Sequence, residues 1–107
     1  MIQIAISKNV DGRYMGILIS GHSNLAPKGY DIYCAGVSAI SQSVVITLMN
    51  KLNYACKFES VSGRLLCSLI DPPDDITNAV FEVFVTGVEA ISKMTDVIKI
   101  TYTRDFL

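Results

Sequence analysis

The chain has 107 residues, of which 50% are hydrophobic and 18% are charged, and its formal net charge at neutral pH is −1. This length predicts a single domain over residues 1–107, and a mean hydropathy of +0.41 argues against a disordered chain. The scattered basic residues argue against direct nucleic-acid binding. Because we see no apolar run near the roughly 20 residues of a membrane span, and no signal peptide, we expect a cytoplasmic protein without membrane contacts.

The N-terminal part predicts a β-hairpin followed by a loop. Residues 1–8, MIQIAISK, alternate apolar and polar side chains as a half-buried strand does. The Asp-Gly pair at 11–12 is a strong hairpin-turn signal, and residues 13–20 then form the second strand. Two Gly and one Pro interrupt residues 21–30, which we therefore predict to be a loop.

A first helix is predicted to follow, with Asp31 as its N-cap and residues 32–52 as its body. Its apolar stripe consists of Val37, Ile40, Val44 and Leu48. Beyond the cap, only Lys51 is charged, so the helix has no charged face. We therefore expect other parts of the protein to cover it on more than one side, and we predict a homodimer.

The second half predicts a hairpin, a helix and a strand. Strands near 54–60 and 64–70 flank a Ser-Gly turn, and the segment DPPDD caps the next helix. That helix, over 76–94, contains a run of strand-like composition, but its apolar residues follow a helical period. They are Ile76, Val80, Phe84, Val88 and Ile91, and Glu89 with Lys93 is expected to form an ion pair.

Residues 96–107 predict the last strand, so the element order is β-β-α-β-β-α-β. This order indicates an α+β fold in which a mixed or antiparallel sheet packs with two helices, mostly on one face. A fold of this kind does not by itself indicate a function.

The chain contains three Cys, at positions 34, 56 and 67, and one His, at position 22. An odd number without a Cys-x-x-Cys pair argues against a disulfide framework. A zinc site made of His22, Asp31 and Cys34 would need a fourth ligand for which there is no candidate. We therefore expect no metal and no cofactor, and we interpret Cys56 and Cys67 as core residues.

Cys34 and His22 are the candidate catalytic residues. A thiol attacks as the thiolate, which a helix N-terminus and a nearby imidazole both stabilise. Cys34 lies in the first turn of the predicted helix, and His22 lies in the loop before it. Ser38 shares a helix side with Cys34. Spacing alone leaves simpler interpretations open: a packed Cys, a solvated His, a capping Asp31 and a Ser38 that bonds the preceding turn.

The same segment resembles the ribosomal-processing cysteine protease family, called Prp. The family signature is Gly-His-Ala, a short loop, and Gly-x-Asp-Ile-Val-Cys-Ala-Ala-Val-Ser. This chain reads GHS at 21–23 and GYDIYCAGVS at 29–38, and its length and element order are also similar. The departures are Ser23 for Ala, Tyr33 for Val and Gly36 for Ala, and none removes a reactive group.

The resemblance implies a homodimeric cytoplasmic endopeptidase without a cofactor. It would remove the N-terminal extension of a large-subunit ribosomal protein of the L27 type. By the motif match, Cys34 would be the nucleophile and His22 the general base. Asp31, Ser38 and Gly21 would support them, and residues 21–30 would form a lid that orders over the peptide.

Two alternatives belong to other classes of function. One is a non-catalytic dimeric binding module for a ribosomal or peptide partner. The other is a different cysteine-dependent enzyme, such as a small acyl transferase or a thiol hydrolase. Selective alkylation of Cys34 would favour an activated nucleophile over the binding module, and a panel of peptides and thioesters would separate the enzymes.

Overall fold

The computed structural model describes residues 1–21 and 31–104, apart from the side chain of Asp31. Its elements follow the predicted order β-β-α-β-β-α-β, which confirms the α+β fold. They are β1 Ile2–Lys8, β2 Tyr14–Ser20, α1 Asp31–Ile46, β3 Cys56–Val61, β4 Arg64–Leu69, α2 Asp75–Ser92 and β5 Ile98–Thr103. A π-helical turn, Thr47–Lys51, continues α1.

The five strands form one mixed sheet in the order β3-β4-β2-β1-β5. Strand β1 pairs antiparallel with β2 and parallel with β5, so that Ile4 lies between Ile19 and Ile100. The other pairs, β2–β4 and β3–β4, are antiparallel. The first and last strands of the sequence are therefore neighbours, and β3 forms one edge of the sheet.

Both helices pack on one face of this sheet. Because side chains alternate along a strand, Ile2, Ile4 and Ile6 of β1 all point into the same core. The helical side of that core includes Val37, Val44, Leu48, Phe81, Phe84 and Val88. The opposite face of β1 and β5 carries polar side chains such as Gln3 and Lys99.

The predicted hairpin turns are confirmed at Gly12 and Gly63, which have φ angles of 83° and 80°. Such positive angles favour glycine. The Asn9 side chain accepts hydrogen bonds from the backbone N–H groups of Asp11 and Arg13 at 3.0 and 2.9 Å. These bonds hold the first turn closed and explain why this short segment reverses the chain direction.

Helix α2 begins with a complete capping box. The Asp74 carboxylate accepts from the Thr77 backbone N–H at 2.8 Å, and the Thr77 hydroxyl accepts from the Asp74 backbone N–H at 2.9 Å. This start places Thr77 in the core and leaves Ile76 53% exposed. The predicted helix is confirmed, but Ile76 was wrongly assigned to its apolar face.

The predicted Glu89–Lys93 ion pair is wrong, since the ion pairs within residues 1–21 and 31–104 are Arg13–Asp75 and Arg64–Glu59. Glu89 instead accepts a hydrogen bond from the Tyr102 hydroxyl of β5. Its carboxylate therefore joins α2 to the edge of the sheet rather than to the next turn of the same helix.

Helix α1 and the turn that follows it have an unusually apolar composition. Residues 32–51 are long and apolar enough to cross a membrane by length and composition, which corrects the expectation that no segment reaches that length. Here the helix packs on the sheet through Val37, Val44 and Leu48, while Ile46 remains 47% exposed. A core helix of a folded domain passes the same test of composition.

Candidate active site

Cys34 lies in the first turn of α1, and its side chain is partly exposed. The description of α1 starts at Asp31. The N-cap role of Asp31 stays a prediction, because residue 30 and the Asp31 side chain lie outside the described part of the chain. Backbone N–H groups of a first turn have no partner within the helix, and they carry the positive end of the helix dipole.

Cys34 opens into a cleft of about 270 Å³ between α1 and the β3–β4 hairpin. One wall is the surface of α1, and the other is formed by the hairpin and by the end of β2. The lining residues from α1 are Cys34, Val37, Ser38, Ser41 and Gln42, and those from the other wall include Ile19, Gly21, Val61, Arg64 and Leu65. No residue of 1–21 or 31–104 closes this cleft at the surface, so these residues leave a path to the thiol.

The α1 wall is polar where it approaches Cys34. The Gln42 side-chain amide donates to the Ser38 hydroxyl at 2.9 Å, and the Ser41 hydroxyl donates to the Ser38 carbonyl at 3.0 Å. Ser41 is buried, whereas Ser38 and Gln42 are exposed. The structure therefore brings Ser38 to the same cleft as Cys34, with its hydroxyl already held by a neighbour.

Gly21 lies at the entrance of the cleft, where the chain leaves β2. Its φ angle is 92°, and its backbone N–H donates to the Gly63 carbonyl at 3.0 Å. A Cβ atom at this position would collide with the Met1 carbonyl oxygen. Only glycine fits at this position. The hydrogen bond to Gly63 holds the backbone of Gly21 at the end of β2.

The hairpin wall was missed by the sequence reasoning. Arg64 is the cationic side chain among the described lining residues, and its guanidinium is 3.0 Å from the Glu59 carboxylate. Arg64 reaches the cleft because β4 pairs with β2, which sets Arg64 opposite Ser20. No local sequence pattern predicts that β4 pairs with β2, so Arg64 could not be identified as a cleft residue from the sequence.

The other half of the candidate dyad lies outside the described residues. His22 belongs to residues 22–30, and the side chain of Asp31 is not described either. Within the described part of the chain, no group of three or more His, Cys, Asp or Glu residues lies close enough to hold a metal ion. The roles of Cys34, His22, Asp31, Ser38 and Gly21 therefore stay predictions.

A second pair of thiols lies under the hairpin. Cys67 is fully buried in the core, as predicted, and Cys56 packs against it. The hydrogen bond that Cys67 donates to Cys56 lowers the pKa of Cys56, and the same bond together with burial raises the pKa of Cys67. Cys56 is partly exposed, so any thiol-labelling experiment on Cys34 has to account for it.

Comparison with known proteins gives a consistent picture. The sequence model of the cysteine protease Prp family matches residues 1–98. The ribosomal processing cysteine protease Prp of Staphylococcus aureus is 24% identical over 99 residues, which are 87% of this chain and 90% of that protein.

Two solved structures of Prp from S. aureus have the same fold. The structure of this essential protease with a substrate peptide has a TM-score of 0.87 at 20% identity and covers 96% of this chain and 100% of that chain. The structure with a covalently linked product peptide has a TM-score of 0.84 at 21% identity, with the same coverage. At such identities the likeness shows the fold.

Proposed function

The chain belongs to the cysteine protease Prp family, and we propose that it removes the N-terminal extension of a large-subunit ribosomal protein of the L27 type. The observation that carries this proposal is the position of Cys34, a partly exposed thiol in the first turn of α1 beside an open cleft. A relative bound to a substrate peptide, Prp of S. aureus, supports a peptide as the ligand of this cleft. Membership of a protease family also favours an enzyme over the non-catalytic binding module.

In the proposed mechanism, Cys34 and His22 act as a dyad. The Cys34 thiolate attacks the scissile carbonyl carbon and forms a thioester, while the protonated His22 gives its proton to the leaving amine. Water then hydrolyses the thioester, which frees the new carboxyl terminus and restores the thiol. Backbone N–H groups at the start of α1 would stabilise the oxyanion. The S. aureus protein has been solved with a covalently linked product peptide, which supports a covalent route in general.

Mass spectrometry of the ribosomal protein tests the proposal directly. The purified precursor is incubated with the wild-type chain, with Cys34→Ala and with Cys56→Ala as a matched thiol control. We expect loss of the N-terminal extension with the wild type and with Cys56→Ala, and an intact precursor with Cys34→Ala. An intact precursor with the wild type, or cleavage by Cys34→Ala, would overturn the proposal.

The dyad itself is tested by alkylation of Cys34 across a range of pH. The measurement uses Cys56→Ala as the background, because the pKa of Cys56 is lowered by its bond to Cys67. Replacement of His22 by Ala should move the alkylation profile to higher pH and should reduce cleavage more strongly than alkylation. Identical profiles with and without His22 would show that the two residues do not interact.

We propose further that the protein is a homodimer that uses the outer face of its two helices. An apolar groove of about 400 Å³ lies between α1 and α2, and it is lined by residues such as Ile40, Val80 and Val83. Val83 is 69% exposed, and exposed apolar surface of this kind is typical of subunit interfaces.

Light scattering of Val83→Asp tests the dimer, with Val10→Asp as the matched control. Val10 is 77% exposed but lies in the first hairpin turn. We expect Val83→Asp to be monomeric at concentrations where the wild type and Val10→Asp are dimeric. A monomeric wild type at micromolar concentration would refute the dimer.

We propose a cytoplasmic location, because an odd number of cysteines without a disulfide framework is typical of a reducing compartment. The three cysteines are free thiols. We also expect no direct binding of nucleic acid, since the net charge is −1. Recovery of the protein in the membrane or secreted fraction, or retention of labelled RNA at physiological salt, would contradict these expectations.

A further inference from the structure

The cleft beside Cys34 continues along α1 into a second hollow of about 330 Å³. The two hollows share Gln42, Ser60 and Leu65, so together they form one groove between α1 and the β3–β4 hairpin. On the helix the groove follows a single stripe, because residues about four apart lie on the same side. The stripe consists of Cys34, Ser38, Gln42, Ile46 and Met49.

Both ends of the groove contain polar and apolar side chains, but the far end exposes the larger apolar ones. Near Cys34 the exposed side chains are mostly polar, such as Ser38, Gln42 and Arg64, and Val61 is the exposed apolar one. The far end is lined by Gln42, Asn50 and Ser60 and by five apolar side chains, which we name the apolar subsite: Val45, Ile46, Met49, Phe58 and Leu65. Ile46 is 47% exposed and Phe58 is 42% exposed. Large apolar side chains that stay exposed around a hollow are typical of a binding site.

We propose that the apolar subsite binds an apolar side chain of the substrate peptide, about five to seven residues from the scissile bond. The inference rests on the proposed function. Along the helix, the subsite residues from Val45 to Met49 lie roughly 16 to 22 Å from Cys34 at the usual helical rise. An extended peptide advances about 3.3 Å per residue, so this span corresponds to about five to seven residues.

The continuity of the groove favours the substrate over any other occupant. A peptide whose scissile carbonyl lies at Cys34 reaches the apolar subsite without leaving the groove, since Gln42, Ser60 and Leu65 line both hollows. A second copy of the chain on this face would instead cover the path to the thiol. Binding far from the reacting bond raises kcat/KM when its free energy is used at the transition state.

The test compares a long and a short peptide from the precursor of the ribosomal protein. The long peptide spans the cleavage site by about seven residues on each side, and the short peptide by about three, which is below the span of the groove. Each is cleaved by the wild type, by Met49→Gln, by Phe58→Ala and by Ile70→Ala. Ile70 is the matched control, because it is 69% exposed and does not line the groove.

We expect the wild type to cleave the long peptide about tenfold faster in kcat/KM than the short one. Met49→Gln and Phe58→Ala should lose most of this difference and keep the wild-type rate on the short peptide, while Ile70→Ala should behave as the wild type. Thermal unfolding confirms that each variant is folded, and the two subsite variants serve as independent tests of one prediction.

A serine scan of the long peptide should place the loss at one apolar residue, about five to seven positions from the cut. Equal rates of the wild type on both peptides, or an equal loss of both rates in the subsite variants, would overturn the inference and leave the protease function intact. A change of oligomeric state in Met49→Gln without the loss specific to the long peptide would also overturn it, in favour of a subunit interface. If the wild type cleaves neither peptide, the proposed function is wrong, and this inference is wrong with it.

Discussion

Helices α1 and α2 pack on the same face of the sheet, but they differ at their starts and along their surfaces. Helix α2 begins with the Asp74–Thr77 capping box and turns Phe81 and Phe84 fully into the core. Helix α1 presents Ser38 and Gln42 to the cleft and ends in a π-helical turn.

The difference predicts that stability and the proposed chemistry depend mainly on different helices of one domain. The free energy of unfolding depends mainly on apolar burial, to which α2 contributes the two largest fully buried side chains, Phe81 and Phe84. Helix α1 also buries apolar side chains, but its stripe along the groove is partly exposed and contributes less to this burial. Substitutions in the two helices should therefore change different measured quantities.

The largest expected effect is the loss of cleavage in Cys34→Ala. We expect kcat/KM to fall by about 10⁴-fold or more, because the nucleophile is removed. The free energy of unfolding should change by less than about 1 kcal/mol, since the side chain is partly exposed and small. Denaturant unfolding and peptide cleavage measure the two quantities, and a strongly destabilised variant would break the separation between the helices.

Phe81→Ala should show the opposite behaviour. Phe81 is completely buried, and truncation of a buried Phe costs about 3–5 kcal/mol. The folded fraction of the variant should cleave at close to the wild-type rate, because Phe81 does not line the groove. Urea unfolding and activity per folded molecule provide the measurement. A specific loss of activity larger than the loss of folded protein would contradict the assignment.

Gly21→Ala should affect both quantities, because Gly21 joins the sheet to the cleft. Gly12→Ala is the control, since both glycines have positive φ but only an added Cβ at Gly21 meets another atom within 4 Å. We expect a loss of about 1–3 kcal/mol for Gly21→Ala and a smaller loss for Gly12→Ala. Cleavage should fall in Gly21→Ala alone. Equal effects of the two substitutions would show that the contact with Met1 is unimportant.

The smallest effect concerns the cap of α2 at acid pH. The hydrogen bond from the Thr77 backbone lowers the pKa of Asp74, so the ionised cap stabilises the folded state above the ordinary pKa of about 3.9. This contribution is lost as the pH falls from that value through the lowered one.

The matched variant for this effect is Asp74→Asn, which keeps a capping side chain but does not titrate. The melting temperature of the wild type should fall more steeply than that of Asp74→Asn between about pH 5 and pH 2. Parallel curves over this range would show that the carboxylate charge contributes nothing to α2.

The element order could be predicted because its signals are local. The Asp-Gly turn, the alternation of β1 and the acidic cap before α2 each act within a few residues. The thiol and its place near the start of α1 also followed from a short motif. Local hydrogen bonding therefore explains most of what was predicted correctly.

One error is local and the others concern contacts that join distant parts of the chain. Ile76 fits a helical period as well as Thr77 does, and the local capping box decides which one faces the core. Arg64 enters the cleft because β4 pairs with β2, and Glu89 bonds Tyr102 of β5 instead of Lys93. The last two outcomes depend on the packed sheet, which no window of sequence contains.

The parallel pairing of β1 with β5 has a consequence for folding. Ile2 lies opposite Ile98, so β1 lacks one of its two neighbours until almost the whole sequence is in place. Contacts of such large sequence separation slow the search for the native state, and an unpaired strand edge invites association with other chains. A truncation before Ile98 should therefore yield an aggregating protein and not a smaller active domain.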